Sequence, residues 1–312
     1  WLQDFDGPNG DFSDPTEVIV STTAGNGFMI FDSNLSNPGG TATNRVGALV
    51  SPVIDLSATP YVHLVFQQRM RYCCAAEVTH WVEVSTDGGT TWPNKVQVDD
   101  GIPVNDDPGT QTRRVNLGAL IQADPANVMF RFNHECYNCG TGTVSHYHWQ
   151  IDDINIEVSP ANDLTINYAL YQDWVFETAT NYDSIEYGVY PFSQLRGLNL
   201  KALVWNNGSA DQTNVNLDVA VTGPGTPYNQ AVTVASFPPA TKDSLYATDI
   251  TPYTPDAVAG TYTIDWTLTS DSTDENPGDN TAQRTFGVDD FDYAIDNGSR
   301  QGRDGNNQNG YL

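Results

Sequence analysis

The sequence predicts an all-β protein, an N-terminal jelly-roll β-sandwich followed by an immunoglobulin-like β-sandwich. Apolar and polar residues alternate along one short segment after another, with β-branched and aromatic types frequent, as half-buried strands require. The 26 Gly and 18 Pro punctuate these segments. The intervals run to roughly 8 to 15 residues, the spacing of a sandwich. No segment sustains a helical period with capping residues at its ends.

The 312 residues suit two domains with part of a third. Residues 1–158 form a block of jelly-roll size. Its strand signals include Tyr61-Val-His-Leu-Val-Phe66, Trp81-Val-Glu-Val-Ser85, Val128-Met-Phe-Arg-Phe132 and Trp149-Gln-Ile-Asp-Asp-Ile-Asn-Ile156. Leu117 to Ile121 is expected to hold one helical turn. A boundary falls at Val158-Ser-Pro-Ala-Asn162, where a short Pro-bearing linker predicts a stiff joint. Residues 162–288 read as the second sandwich, with strands in Leu198–Trp205, Asn214–Val221 and Gly260–Leu268. Residues 289–312 are rich in Asp, Asn and Gly and read as a linker or the start of a further domain. Trp1-Leu2-Gln3-Asp4 has neither the basic start nor the apolar stretch of a signal peptide, so the chain reads as trimmed at both ends.

Thirty-nine acidic residues face 13 basic ones, a net charge of -26, and Lys95, Lys201 and Lys242 are the only lysines. Such a chain repels nucleic acid, whose binding needs basic groups to displace counterions, and avoids anionic membrane surfaces. No apolar run approaches the roughly 18 residues that would insert into a bilayer. An acidic surface suits solubility, calcium binding or a salty medium. The four Cys form two close pairs, Cys73-Cys74 and Cys136-x-x-Cys139. Their even number points to disulfides and an oxidising, extracellular or cell-surface location. Two bridges from Cys73 and Cys74 to Cys136 and Cys139 are expected, with the pairing not readable.

Ser85-Thr-Asp87-Gly-Gly89-Thr-Thr91-Trp92 matches the Asp-box pattern. Physically it is a hairpin turn: Asp87 caps backbone N–H groups, Gly88 and Gly89 supply positive φ, and Trp92 packs on the returning strand. A propeller needs several such boxes at regular spacing, and the chain has one. Asp4 and Asp6 near the start, and Asp152 and Asp153 near the end of the first domain, would converge on a structural calcium if first and last strands lie side by side. Asp32 would add a ligand, and Asp11 with Asp14 is a weaker loop-borne alternative. His134, Cys136, Cys139, His146 and His148 have the residue types of a zinc site, set against the disulfide reading. Trp81, Trp92, Tyr147, Trp149, Trp174 and Tyr187 are candidates for stacking on sugar, although most Trp in a sandwich are core residues. No nucleophile elbow, His-Glu-x-x-His, phosphate loop or dinucleotide fingerprint is present. Glu83 and Asp265, the carboxylates in otherwise apolar strands, read as outward-facing, so no catalytic residue is assigned.

Gly27-Phe-Met-Ile-Phe-Asp32, Leu49-Val-Ser-Pro-Val-Ile-Asp-Leu-Ser57, Val82 to Trp92 and Trp149-Gln-Ile-Asp-Asp-Ile154 together resemble a MAM-like or concanavalin-like jelly roll. That version recurs in large secreted proteins of Bacteroidota, many exported by type IX secretion. The resemblance implies adhesins or modules beside secreted hydrolases and peptidases. It also implies a structural calcium near Asp4, Asp6, Asp152 and Asp153. The two Cys pairs depart from the usual pattern. Trp205-Asn-Asn-Gly-Ser209, Asn214-Val-Asn-Leu-Asp218 and Asp274-Glu-Asn-Pro-Gly-Asp-Asn280 are similar to a CARDB-type adhesion module. The expected function is that of a non-catalytic fragment of a secreted or surface protein, meeting a cell-surface glycan or protein and the secretion machinery. The rivals are accessory modules of a secreted hydrolase and a glycan-binding module.

Overall fold

The computed structural model describes residues 1–36, 44–73, 78–137, 146–172, 174–178, 181–185, 187–246 and 252–290. The chain divides into two units, one spanning Trp1–Val158 and the other beginning at Ser159. Nearly every regular element is a strand.

Unit 1 is a sandwich of two antiparallel sheets. Its strands are β1 (Leu2–Asp4), β2 (Phe28–Asp32), β3 (Arg45–Val50), β4 (Val62–Cys73), β5 (Thr79–Ser85), β6 (Asn94–Gln97), β7 (Gln111–Asn116), β8 (Met129–Cys136) and β9 (His146–Val158). One sheet runs β1-β2-β9-β4-β7 and the other β3-β8-β5-β6. Alternation decides which side chains meet between them. Leu64 and Phe66 of β4, Val82 and Val84 of β5, Phe130 and Phe132 of β8, and Trp149 and Ile151 of β9 form the core. At Gly47 an added Cβ would stand 2.5 Å from the Phe31 ring, so a bare backbone is what lets Phe31 stack on His134 at 4.4 Å. Leu117 to Ile121 makes the expected turn, closed by Ile121 N–H donating to Leu117 O at 3.2 Å.

Unit 2 holds β10 (Leu164–Gln172), the hairpin β11 (Trp174–Thr178) and β12 (Asn181–Ile185), β13 (Val189–Pro191), β14 (Asn199–Asn206), β15 (Gln212–Thr222), β16 (Tyr228–Phe237), β17 (Lys242–Tyr246), β18 (Gly260–Thr269) and β19 (Thr281–Asp289). Sheets β10-β14-β17 and β13-β19-β18-β15-β16 enclose a core that includes Tyr171, Leu200, Val219, Trp266 and Phe286. The Asp274–Asn280 loop clips the start of β10. Asp274 accepts from Leu164 N–H at 2.7 Å, Glu275 from Ala161 and Asn162 N–H, and Asp279 from the Thr165 hydroxyl. Burial, reinforced by Asp274, raises the Asp279 pKa.

Candidate functional site

Three constellations in unit 1 gather the chemistry-bearing residues. The first is a strap. Residues 17–23 cross the outer face of the five-stranded sheet parallel to β9 with a constant offset. Glu17 meets His148, Ile19 meets Gln150, Ser21 meets Asp152 and Thr22 meets Asp153, each 131 residues apart. His148 and Gln150 point outward because Trp149 and Ile151 between them point to the core. Gln150 is fully buried. Its Oε1 accepts from Ile19 N–H at 2.8 Å and its Nε2 donates to Glu17 O at 2.6 Å. That fixed amide turns an N–H toward His148 Nδ1 at 2.9 Å, so the His148 proton sits on Nε2 and is donated to Glu17 at 3.0 Å. Glu17 also pairs with Arg71, and Ile19 packs on Phe28 and Ile30.

The far end of the strap depends on a bulge. The β4–β9 register slips between Val65 and Gln67, and Asp153 adopts φ 49°. The extra residue turns two neighbouring carboxylates toward the strap. Asp152 accepts from the Ser21 hydroxyl at 2.5 Å, and Asp153 from Thr22 N–H and from the Thr22 and Thr23 hydroxyls. These bonds lower the Asp153 pKa. A groove of about 260 Å³ lined by Gln3, Met29, Ile151, Asp152 and Asp153 runs beside them.

The second constellation is buried between the sheets. His80 Nδ1 lies 2.8 Å from Asp99 Oδ2, and His80 Nε2 lies 3.0 Å from His134 Nδ1. All three residues are at most 3 % exposed. Burial, then His80 and Arg45, hold the His134 pKa well below the ordinary imidazole value. Sequence reasoning missed His80 and Asp99. Strand parity carried the signal for His80, which lies two residues from the inward-facing Val82 and four from Val84.

The third lies on the outer face of the four-stranded sheet. Lys95 sits 4.1 Å from the ring centre of Trp81, and Arg131 sits 4.4 Å from that of Trp92. Arg131 also binds Glu83, which is outward-facing as expected yet only 4 % exposed. Asn133 donates to Glu135 on the same face, and Val46 and Val50 of the edge strand are 44 % and 47 % exposed. The Asp-box holds the end of this face. Gly88 and Gly89 have φ 65° and 86°, and Ser85 accepts from Gly89 N–H. Asp87 accepts from Thr91 N–H at 2.9 Å and from the Thr91 hydroxyl at 2.6 Å. The Thr91 hydroxyl and N–H, with Ser85, lower the Asp87 pKa to about 2. The linkage of a depressed carboxyl is present above its ordinary value of 3.8 and lost as pH falls through about 2. Protection of the Thr91 amide against hydrogen exchange is therefore expected to persist at pH 3. Loss already at pH 4 would show that Asp87 does not hold this turn.

The predicted calcium set does not assemble. β2 lies between β1 and β9, so Asp4 and Asp152 stand two strand spacings apart, roughly 10 Å. Asp4 Oδ1 accepts from the N–H groups of Phe5, Asp6 and Gly7. Asp6 is exposed. Asp32 is buried and accepts from Asn9, Gly10 and Leu35 N–H, tying an N-terminal loop to a single helical turn. Calcium needs six to eight oxygens about one point; Asp152 and Asp153 lie together at the strap, whereas Asp4 and Asp6 lie at the turn after β1 and Asp32 at the end of β2. Asp14 accepts from Thr16, and Asp11 is exposed. Among the described residues no group of three or more His, Cys, Asp or Glu is placed to hold a metal ion.

The zinc alternative divides as well. His134 points between the sheets, and His148 points to the strap on the outer face of the other sheet. Cys73 and Cys136 each take part in a disulfide. Cys74 and Cys139 lie outside the described residues, as do the side chains of His146 and Trp174. Trp149 is fully buried and is no sugar platform. Tyr147 lies under Arg71, and Tyr187 packs against the core of unit 2.

No family model matches the chain, and no curated protein matches it. Among solved structures it is similar at 12% identity to the glycoside hydrolase domain of Endo-D from Streptococcus pneumoniae R6, covering 84% of this chain and 34% of that one at a TM-score of 0.29. A GH2 beta-galacturonidase from Eisenbergiella tayi matches at 11% identity over 78% of this chain and 35% of that one, TM-score 0.29. A beta-glucuronidase from Bacteroides uniformis matches at 10% over 78% and 26%, TM-score 0.30. The chain spans about a third of the length of the first two and about a quarter of the third.

Proposed function

We propose that the chain supplies non-catalytic modules of a larger extracellular protein, with unit 1 the surface-binding module and unit 2 a spacer. The carrying observation is the Trp81–Lys95 and Trp92–Arg131 pairs on one sheet face, with Glu83 bonded to Arg131 and opposite Lys95 in the strand register. Two half-buried indoles held by neighbouring side chains form a preorganised platform, which lowers the ordering cost of binding. Lys95 and Arg131 cover one face of each indole; the opposite face suits the apolar face of a pyranose, and Gln97 opposite Trp81 and Glu135 opposite Thr79 suit its hydroxyls. A neutral surface glycan is the ligand class favoured. The acid–base groups of unit 1 support a non-catalytic role, since His80, His134, Asp99 and His148 are buried and bonded to one another or to the strap.

The test is affinity electrophoresis of the chain through a panel of neutral polysaccharides, with Trp81→Ala and Trp92→Ala alongside. At least one polysaccharide should retard the native chain, and each variant should weaken that binding about tenfold, or about 1.4 kcal/mol. Equal retardation of native and variant chains would remove this face from the proposal. No retardation across the panel would move the search to protein partners.

A further inference from the structure

The five-stranded sheet of unit 2 has two edges, and they are guarded unequally. At one edge β13 is three residues long and ends in Pro191, which has no N–H to offer. At the other edge β16 is ten residues long, from Tyr228 to Phe237, and contains no Pro, Lys, Arg, Asp or Glu. Among the described residues it pairs with β15 alone. The surrounding run from Val219 to Thr241 is also free of charge, in a chain carrying -26. Alternate residues of β16 turn their N–H and C=O groups away from β15. Short length, proline and charge are the ordinary means of blocking such an edge, and β16 has none of them.

We propose that β16 is a self-association edge, on which a second copy of this chain lays its own β16 antiparallel across a two-fold axis. The register follows from the two faces of the strand. Tyr228, Val232 and Val234 pack toward the core, whereas Asn229, Thr233 and Ala235 are exposed. Setting Val232 against its own copy brings Gln230 opposite Val234 and Ala231 opposite Thr233, so every pair shares a face. An isologous seam of this kind joins two identical strands, and with no charge in either one no like charges meet across it. A basic peptide would find nothing ionic to recognise on β16. The long-range repulsion between two acidic chains remains, and salt screens it over about 8 Å at physiological ionic strength. Self-association therefore strengthens as salt is raised, the opposite sign to capture of a basic partner.

The experiment is sedimentation velocity of the 312-residue chain over a concentration series at low and high sodium chloride, with Ala231→Lys and Thr233→Lys as edge-guarding variants. Ala231 faces Asp218 across the β15 register, so a lysine there has a partner in the monomer. The native chain should show a monomer–dimer equilibrium that tightens with salt, and each variant should raise the dimer dissociation constant at least tenfold with an unchanged circular dichroism spectrum. A native chain that stays monomeric at both salt concentrations overturns the proposal. So does a dimer that both variants leave intact, or one that dissociates as salt is raised.

Discussion

Gln150→Met is expected to destabilise unit 1 by about 3 to 5 kcal/mol and to release the strap before the sheets come apart. Methionine matches the length of glutamine and fills the same buried space, so little of this loss is cavity. What disappears is a set of three bonds, to Ile19 N–H, Glu17 O and His148 Nδ1. Each partner stays buried, and a buried polar group left unpaired costs about 1 to 3 kcal/mol. Local release follows because Gln150 is the middle contact with β9 of a strap that is otherwise tied at Glu17–His148, at Asp152–Asp153, by Arg69 donating to Val18 O and by Val20 N–H donating to the Thr110 hydroxyl. Urea unfolding gives the global number. Hydrogen exchange of peptides covering residues 17–23 gives the local one. Val20→Ala, in the same strap but 78 % exposed, should change stability by less than about 0.5 kcal/mol. A Gln150→Met chain within 1 kcal/mol of native, a limit set at about the value of one net hydrogen bond, would mean that the strap is held from elsewhere.

Much of the fold was legible because alternation is local. The cores of β4, β5 and β8 follow from counting every second residue, and the Asp-box turn follows from two glycines and one carboxylate in the order a hairpin needs. The same parity places His80 beside Val82 and His134 beside Phe132 on the inner face. The expected approach of Asp4 to Asp152 is absent, because local reading ends there. It required β1 beside β9, and strand order is a long-range property that no segment of the sequence states; β2 takes that place. Asp152 and Asp153 would point to opposite faces of a regular strand, and the bulge that unites them is not announced by glycine. The strap has no period of its own, because its pattern is borrowed from β9 across 131 residues. Acidic residues that looked like free ligands turned out to be acceptors for backbone N–H groups, as at Asp4 and Asp32.

Acidification from pH 7 to pH 4 is expected to weaken unit 1 selectively, through bases that are buried uncharged. All five His of the chain lie in residues 1–158, so unit 2 serves as the internal control. His63 is 2 % exposed in β4, and burial, aided by Arg114 and opposed by Glu157, pushes its pKa down to about 4. His134 is displaced in the same direction by burial, His80 and Arg45. Above the ordinary value of 6.5 neither state carries the proton, and stability does not depend on these groups. Below it the unfolded chain takes up a proton that the folded chain refuses, so stability falls until the folded value is reached. For His63 that window spans about 2.5 pH units at 1.36 kcal/mol each, about 3 kcal/mol. His134 adds a second proton over the same range. The slope below pH 6 should be smaller by about one proton per unfolding event in His63→Leu than in the native chain. Hydrogen-exchange mass spectrometry at pH 7 and pH 4.5 separates the units by their peptides, once rates are corrected for intrinsic pH dependence. Equal loss of protection in both units would assign the acid response to carboxylates or net charge instead. A unit 1 whose protection is unchanged at pH 4.5 would show that His63 and His134 reach water in the folded state.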